Sequence, residues 1–349
     1  MTETSAEAGR SMQNAGSSEL RPQGAAQPVP AQAGDLEAVR AQLRRVVERL
    51  DRLERAPEAP PATSYQPERA WMPAGHFYSP IHSREDLERE LRWSEAQGLD
   101  SPAGIDMQLE RQVDALRFIA ECYEDCGYVD REERGKRYFA ENNYYPFGDA
   151  LVLQAFLRHL RPKRLIEVGS GFSSAAALDT IDQHLGGAVG DPNATRCTFI
   201  EPHPERIHAL LAKDDRQRHD VRVSQVQDVP LELFDELEDG DLLVIDSSHV
   251  SKAGSDVNYL FFQVLPRLKS GVRVHVHDVI WPLSYPRPWL EEGRAWNESY
   301  VLRAFLQFNT EFEVEFSMSY MLLQHYARIK HDLPRLYAAP GSAFWMRRV

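Results

Sequence analysis

The sequence predicts an α/β protein: a doubly wound, seven-stranded, mostly parallel sheet with a helical extension on its N-terminal side. Three observations carry that expectation. Arg164-Leu165-Ile166-Glu167-Val168-Gly169-Ser170-Gly171 reads as a short buried strand running into a tight glycine turn, and Phe172-Ser173-Ser174 opens an alanine-rich helix. From that point short apolar runs alternate with helical segments, as βαβ units do. Upstream of residue 164 the apolar periodicity is helical instead.

The turn organises the rest. Gly169 and Gly171 permit backbone angles that other residues resist and keep side chains away from a ligand. Ser173 and Ser174 supply hydroxyls at the start of the helix. In an open α/β sheet such a turn lies at the carboxyl end of the first strand, where ligands bind.

Composition bounds the function. The chain has 349 residues, 42% of them hydrophobic, enough for a substantial core. Its net charge of −13 argues against a nucleic-acid binder, which needs a basic face. No apolar run is long enough for a membrane span. Met1-Thr2-Glu3-Thr4-Ser5 has neither the basic start nor the apolar core of a secretory signal. The three cysteines, Cys122, Cys126 and Cys197, suggest a reducing, cytoplasmic setting. Cys122 and Cys126 read as a plain helical pair rather than a metal or redox site.

Residues 1–34 are rich in Ala, Gly, Gln, Ser and Pro, a composition that cannot offset chain entropy and predicts disorder. Within 35–56, Leu36, Val39, Leu43, Val46, Leu50 and Leu53 form a heptad seam. Either residues 36–53 mediate homo-oligomerisation as a short coiled coil, or they form one amphipathic helix lying on the domain. Residues 57–82 read as a linker, proline-rich from Pro57 to Pro67. Residues 83–140 read as a helical cap, or as helices packed against the sheet, opened by a Ser83–Asp86 capping box and with a second helix from Ile105 to about Cys126.

The main domain is expected over 141–349. A helix through Leu151, Leu153, Phe156, Leu157 and Leu160 precedes the central strand. Further strands are expected near Cys197–Ile200, Val221–Val226, Leu242–Ile245, Val272–Val276, Phe312–Phe316 and Ala343–Met346. Helices are expected near Ser174–Gln183, Glu205–Ala212, Asp256–Leu265 and Ser299–Phe308.

Candidate chemistry gathers at the strand tips. The turn lacks the third glycine of Gly-x-Gly-x-x-Gly, since Ser174 stands there, which favours a smaller nucleoside ligand over a pyrophosphate. Glu201 ends the second strand, where a carboxylate accepts ribose hydroxyls. Asp228, after the third strand, either reaches an adenine amino group or is an ordinary loop acid. Asp246 ends the fourth strand, His249 follows three residues later, and His277 and Asp278 end the fifth. Asp246, His277 and Asp278 make either a divalent-cation site or a hydrogen-bond network. Trp281, Tyr285, Trp289 and Trp296 crowd the next stretch, either as a platform for a sugar or as a hydrophobic brace. Asn297, Glu298 and Tyr300 follow within reach of a polyol.

Glu167-Val168-Gly169-Ser170-Gly171, Glu201 and Asp246 resemble the class I S-adenosylmethionine-dependent methyltransferases, from about Tyr144 to the closing strand Gly341-Ser342-Ala343-Phe344-Trp345-Met346 and Val349. Ile245-Asp246-Ser247-Ser248-His249 and His277-Asp278-Val279-Ile280-Trp281-Pro282 are similar to the small-molecule and sugar O-methyltransferases, with a macrocin- or catechol-methyltransferase layout. The resemblance implies that Gly169, Ser170 and Gly171 pass close to the methionine part of the cofactor, that Glu167 contacts it through the turn, and that Glu201 holds the ribose. It implies His249 as general base and magnesium or another divalent cation at Asp246, His277 and Asp278, with His277 standing where the family has a carboxylate. The acceptor is expected to be a sugar, glycan or related small molecule. An NAD-type oxidoreductase and a non-catalytic oligomeric scaffold are the alternatives.

Overall fold

The strands are Arg164–Val168 (β1), Arg196–Ile200 (β2), Asp220–Arg222 (β3), Leu242–Ile245 (β4), Arg273–Val276 (β5), Phe312–Ser317 (β6) and Phe344–Arg348 (β7). They form one sheet in the order β3-β2-β1-β4-β5-β7-β6. The first five are parallel, and β7 runs antiparallel between β5 and β6. The structure is a computed structural model. It describes residues 72–186, 191 and 194–349, together with 37 and 40–45.

Sequence and sheet agree closely at the centre. β4 is buried along its whole length, as a continuous Leu-Leu-Val-Ile run requires when helices cover both faces. The edge differs. β3 has three half-buried residues, because Val226–Asp228 turns off as a 3₁₀ helix instead of extending the strand. An outermost strand has partners on one side only, and a short one leaves little unpaired backbone.

Helix Phe147–Leu160 lies against the sheet with eleven buried residues. Leu151, Leu153 and Leu157 are fully buried, each contributing roughly 1.5–3 kcal/mol of apolar transfer. It packs on helix Phe172–Thr180 and on helix Leu109–Tyr123, which also touches β6. Leu109–Tyr123 therefore joins the main core through Leu116 and Ile119. Helix Arg84–Gln97 begins with the Ser83–Asp86 capping box and packs elsewhere. Its Leu87 joins Ile280, Tyr285, Trp289 and Leu290 in a second, smaller cluster.

Of the heptad segment only 37 and 40–45 are described. Gln42 Nε2 donates to the Tyr337 carbonyl at 3.2 Å, and Leu43 packs on the main core. At these residues the amphipathic face meets the chain's own domain. The rest of the heptad, the tail 1–34 and residues 57–71 of the linker lie outside the described residues. No described helix is long and apolar enough to cross a membrane. Cys122, Cys126 and Cys197 are buried free thiols.

Two devices aim residues 137–145 at the strand tips. Arg137 is clamped by Asp179 at 2.8 Å and Asp215 at 2.7 Å. Asn142 then caps the chain by accepting from the amides of Tyr144 and Tyr145 at 2.9 and 2.7 Å.

The turn after β1 is held against the exit of β4, where the Asp246 amide donates to Val168 O at 2.9 Å. Gly169 sits at φ +84°, and a Cβ there would overlap the Asp246 carbonyl oxygen. Gly169→Ala combines left-handed strain with overpacking, each about 1–3 kcal/mol. A loss of about 2–6 kcal/mol in unfolding free energy is expected, read as a lowered urea midpoint at unchanged m-value; a midpoint unmoved by the substitution would contradict the close approach.

Candidate functional site

A cleft of about 330 Å³ opens at the carboxyl ends of the parallel strands, beside the N-terminus of helix Phe172–Thr180. Strand order reverses at the β1/β4 boundary, and a doubly wound sheet leaves its ligand crevice at that boundary. Gly169, Ser170, Gly171, Ser173 and Glu201 line one end. Asp246, His249, His277, Asp278 and Trp296 line the other.

At the first end the backbone holds the acid. Glu201 Oε2 accepts from the Ser170 amide at 2.9 Å, and Oε1 accepts from the His203 amide at 2.7 Å. A carboxylate offers about four acceptor sites, so both oxygens keep capacity for a diol. Glu167 lies behind the turn, buried, accepting from the hydroxyls of Ser173 and Ser174. Burial pushes its pKa up to about 8 against those two hydrogen bonds. It braces the turn from below instead of lining the cleft.

Two residues at this end are absent from the sequence reading. Arg206 stacks its guanidinium on the Tyr144 ring at 3.6 Å, and Tyr144 lies parallel to Phe172 at 5.9 Å. Both line the cleft. Asp228, in contrast, is exposed on the 3₁₀ turn and does not line it. β3 ends at Arg222, and Asp228 closes the 3₁₀ turn Val226–Asp228 that follows.

The other end is a chain of acids and imidazoles. His277 Nδ1 faces Asp246 Oδ1 at 3.2 Å, and Nε2 faces Asp149 Oδ2 at 3.1 Å. Asp149 is fully buried and also accepts from the amides of Ser342 and Ala343 at 2.9 and 2.8 Å. Burial raises the Asp149 pKa, opposed by the bond and charge of His277. Burial disfavours charge on His277 too, yet the surrounding carboxylates Asp278, Asp246 and Asp149 hold its pKa well above the ordinary value. For Asp246 burial is outweighed chiefly by His277, and its pKa falls to about 2. The only sequence signal for Asp149 is a lone acid in an otherwise apolar helical run.

His249 sits at φ +58°, and its carbonyl accepts from the amides of Asn297 and Glu298 at 3.0 and 3.2 Å. Its Nδ1–H donates to Glu298 Oε2 at 2.9 Å. Its Nε2 points inward, 3.6 Å from Asp246 Oδ1 and 3.7 Å from Asp278 Oδ2. The Trp296 ring lies 4.5 Å away. Burial alone would lower the His249 pKa; the hydrogen bond and charge of Glu298, aided by Asp278 and Asp246, raise it to about 9. This is a histidine oriented by a buried acid with its other nitrogen open to the cleft.

Of the four aromatic residues expected around an acceptor, the structure brings only Trp296 to the cleft. Trp281 donates its indole N–H to Gly98 O at 2.8 Å and packs on Tyr320. Tyr285 accepts from the Ser299 amide at 2.9 Å, and Trp289 is fully buried in the second cluster. These three rings brace helices, the packing role that large apolar side chains usually fill.

The cation implied by the family resemblance does not fit these residues. Both ring nitrogens of His277 face carboxylate oxygens, which leaves no lone pair for an ion. Among the described residues no group of three or more His, Cys, Asp or Glu is arranged to hold a metal.

Because its folded pKa is raised above 6.5, His249 contributes stability fully below pH 6.5 and loses it as pH rises to about 9. In Glu298→Gln the His249 pKa is expected to fall towards 6.5, followed by NMR titration of the ring, and this share of the stability vanishes. A His249 pKa that stays near 9 in the variant would refute the pairing.

Comparison with known proteins agrees with this geometry. The family described as "Methyltransferase domain" matches residues 166–279, a span running from β1 to just past β5. An uncharacterized protein of Archaeoglobus fulgidus is 31% identical over 173 residues, covering 48% of this chain and 74% of that one. Among solved structures, the O-methyltransferase TomG of Streptomyces achromogenes, in complex with S-adenosylmethionine, is 13% identical with a TM-score of 0.38 and coverage of 77% and 99%. A Bacillus cereus O-methyltransferase in complex with S-adenosylhomocysteine is 12% identical with a TM-score of 0.37 and coverage of 75% and 99%. The dinucleotide and scaffold alternatives give way: with the methyltransferase-domain match over residues 166–279, and with the glycine turn, Glu201 and Asp246 in one cleft, the chain belongs to the class I S-adenosylmethionine-dependent methyltransferases.

Proposed function

We propose that the protein methylates a hydroxyl group of a sugar, glycan or related small molecule, with His249 as the proton acceptor. The observation that carries this reading is the His249–Glu298 pair: an imidazole fixed at Nδ1 by a buried carboxylate, with Nε2 facing the cleft. When bound, S-adenosylmethionine supplies an electrophilic methyl group on a sulfonium. Glu201 holds the ribose, the Gly169–Gly171 backbone lies along the methionine part, and Arg206 offers a positive charge at the same end.

Methyl transfer needs alignment above all, and positioning of this kind is worth up to about 7–11 kcal/mol. The hydroxyl must also lose its proton, and a well-placed base contributes roughly 10²–10⁴-fold. His249 Nε2 takes that proton. Its pKa of about 9 keeps it protonated at neutral pH. A cationic ligand beside Asp246 repels that proton and lowers the pKa. Turnover is accordingly expected to rise with pH up to about 9. The Trp296 ring next to His249 gives a sugar an apolar face to rest on. Buried free thiols support a reducing, cytoplasmic setting.

Calorimetry with S-adenosylhomocysteine, followed by methyl-transfer assays on a panel of hydroxylated acceptors, tests the reading. Glu201→Gln is expected to weaken S-adenosylhomocysteine at least tenfold. His249→Ala is expected to keep that affinity within about twofold and to lose roughly 10²–10⁴-fold in kcat. Full turnover in His249→Ala would end its role as base.

A further inference from the structure

Asp246 and His277 line the cleft, and Asp149 lies buried behind them on the far side of the His277 ring. The ring between them has no freedom. Asp149 is fixed by the Ser342 and Ala343 amides at 2.9 and 2.8 Å. It also fills the space left by the missing side chain of Gly341, whose Cβ would overlap the carboxylate. A ring nitrogen at 3.1–3.2 Å from a carboxylate oxygen is an N–H donor. His277 has one on each side. Asp278 is engaged as well, its Oδ1 accepting from the Ser342 hydroxyl at 2.9 Å.

Charge bookkeeping points the same way. Four carboxylates, Asp149, Asp246, Asp278 and Glu298, surround two imidazoles, and all but Asp246 are buried. Such a group needs internal positive charge, since buried acids without it are costly. We infer that His277, locked between Asp246 and Asp149, fills the place where the family resemblance implies a divalent cation, and that this centre works without one. The inference rests on the methyl-transfer reading above. An imidazolium carries one charge and has no exchangeable coordination site, so it cannot acidify an acceptor hydroxyl by binding it directly. The proton then depends wholly on His249 and Glu298. What His277 does instead is hold Asp246 in one orientation.

The full chain, stripped with EDTA, is titrated with Mn²⁺ under EPR detection, and its affinity for S-adenosylhomocysteine is measured in EDTA and in Mg²⁺. The Mn²⁺ spectrum is expected to stay that of the free ion, and the affinity to change less than twofold. The double variant His277→Glu, Asp149→Asn replaces the imidazole by a carboxylate beside Asp246 and Asp278 and neutralises the acid behind it, and is expected to bind Mn²⁺ at least tenfold more tightly than the parent. A parent protein that holds one Mn²⁺ per chain and releases it in Asp278→Asn would overturn the inference, as would an affinity raised tenfold or more by Mg²⁺. If the double variant does not fold, the parent titration decides alone. Failure to bind S-adenosylhomocysteine under either condition would remove the transfer reading instead, while the Mn²⁺ titration still decides how the centre is filled.

Discussion

The site depends on one close approach between two backbones. The turn after β1 touches the exit of β4, with the Asp246 amide bonded to Val168 O and no room at Gly169 for a Cβ. This contact brings the end lined by Glu201 and the end lined by His249 and His277 together in one cleft. Bonds from Ser170 to Glu201 and from Asp246 to His277 then extend the two ends outward. A glycine is required here for steric reasons that precede any question of what binds.

The acids around the cleft would repel one another if left alone. They are tolerated because each meets a donor: two amides for Glu201, hydroxyls for Glu167, imidazoles for Asp149, Asp246 and Glu298. Buried ion pairs of this kind add little net stability, but removing one partner leaves an uncompensated charge that costs about 3–5 kcal/mol. Geometry is what they secure. The two histidines are held by different hydrogen-bond partners, Glu298 for His249 and the pair Asp246 and Asp149 for His277.

Much of this was legible before any coordinates. The seven strands, the glycine turn, Glu201, Asp246 and His249 follow from alternation and from where parallel strands end, because the period of the pattern sets which residues reach the tips. What escaped is what arrives from elsewhere in the chain. Asp149 comes from a helix that precedes the sheet, and Glu298 from one that follows β5; neither is near its partner histidine in sequence, and spacing carries no signal for such pairs. The aromatic stretch left two readings open for a related reason. Composition says that rings crowd a stretch, but only packing decides that Trp289 braces a helix while Trp296 faces the cleft. For Asp228 the sequence left two readings open, and the boundary differs from the expected one: β3 stops at Arg222 and Asp228 lies on the 3₁₀ turn that follows.

The acid at position 149 receives amides from Ser342 and Ala343, 193 and 194 residues further along. Those two residues lead into β7, which slots between β5 and β6. During synthesis at about 5–20 residues per second, the helix carrying Asp149 emerges well before the residues that fasten it. A nascent chain on the ribosome can pair β1 with β2 and β4 while the floor of its cleft is still open. The centre is thus among the last parts to set, because Asp149 is fastened only once the residues leading into β7 have been made and folded back.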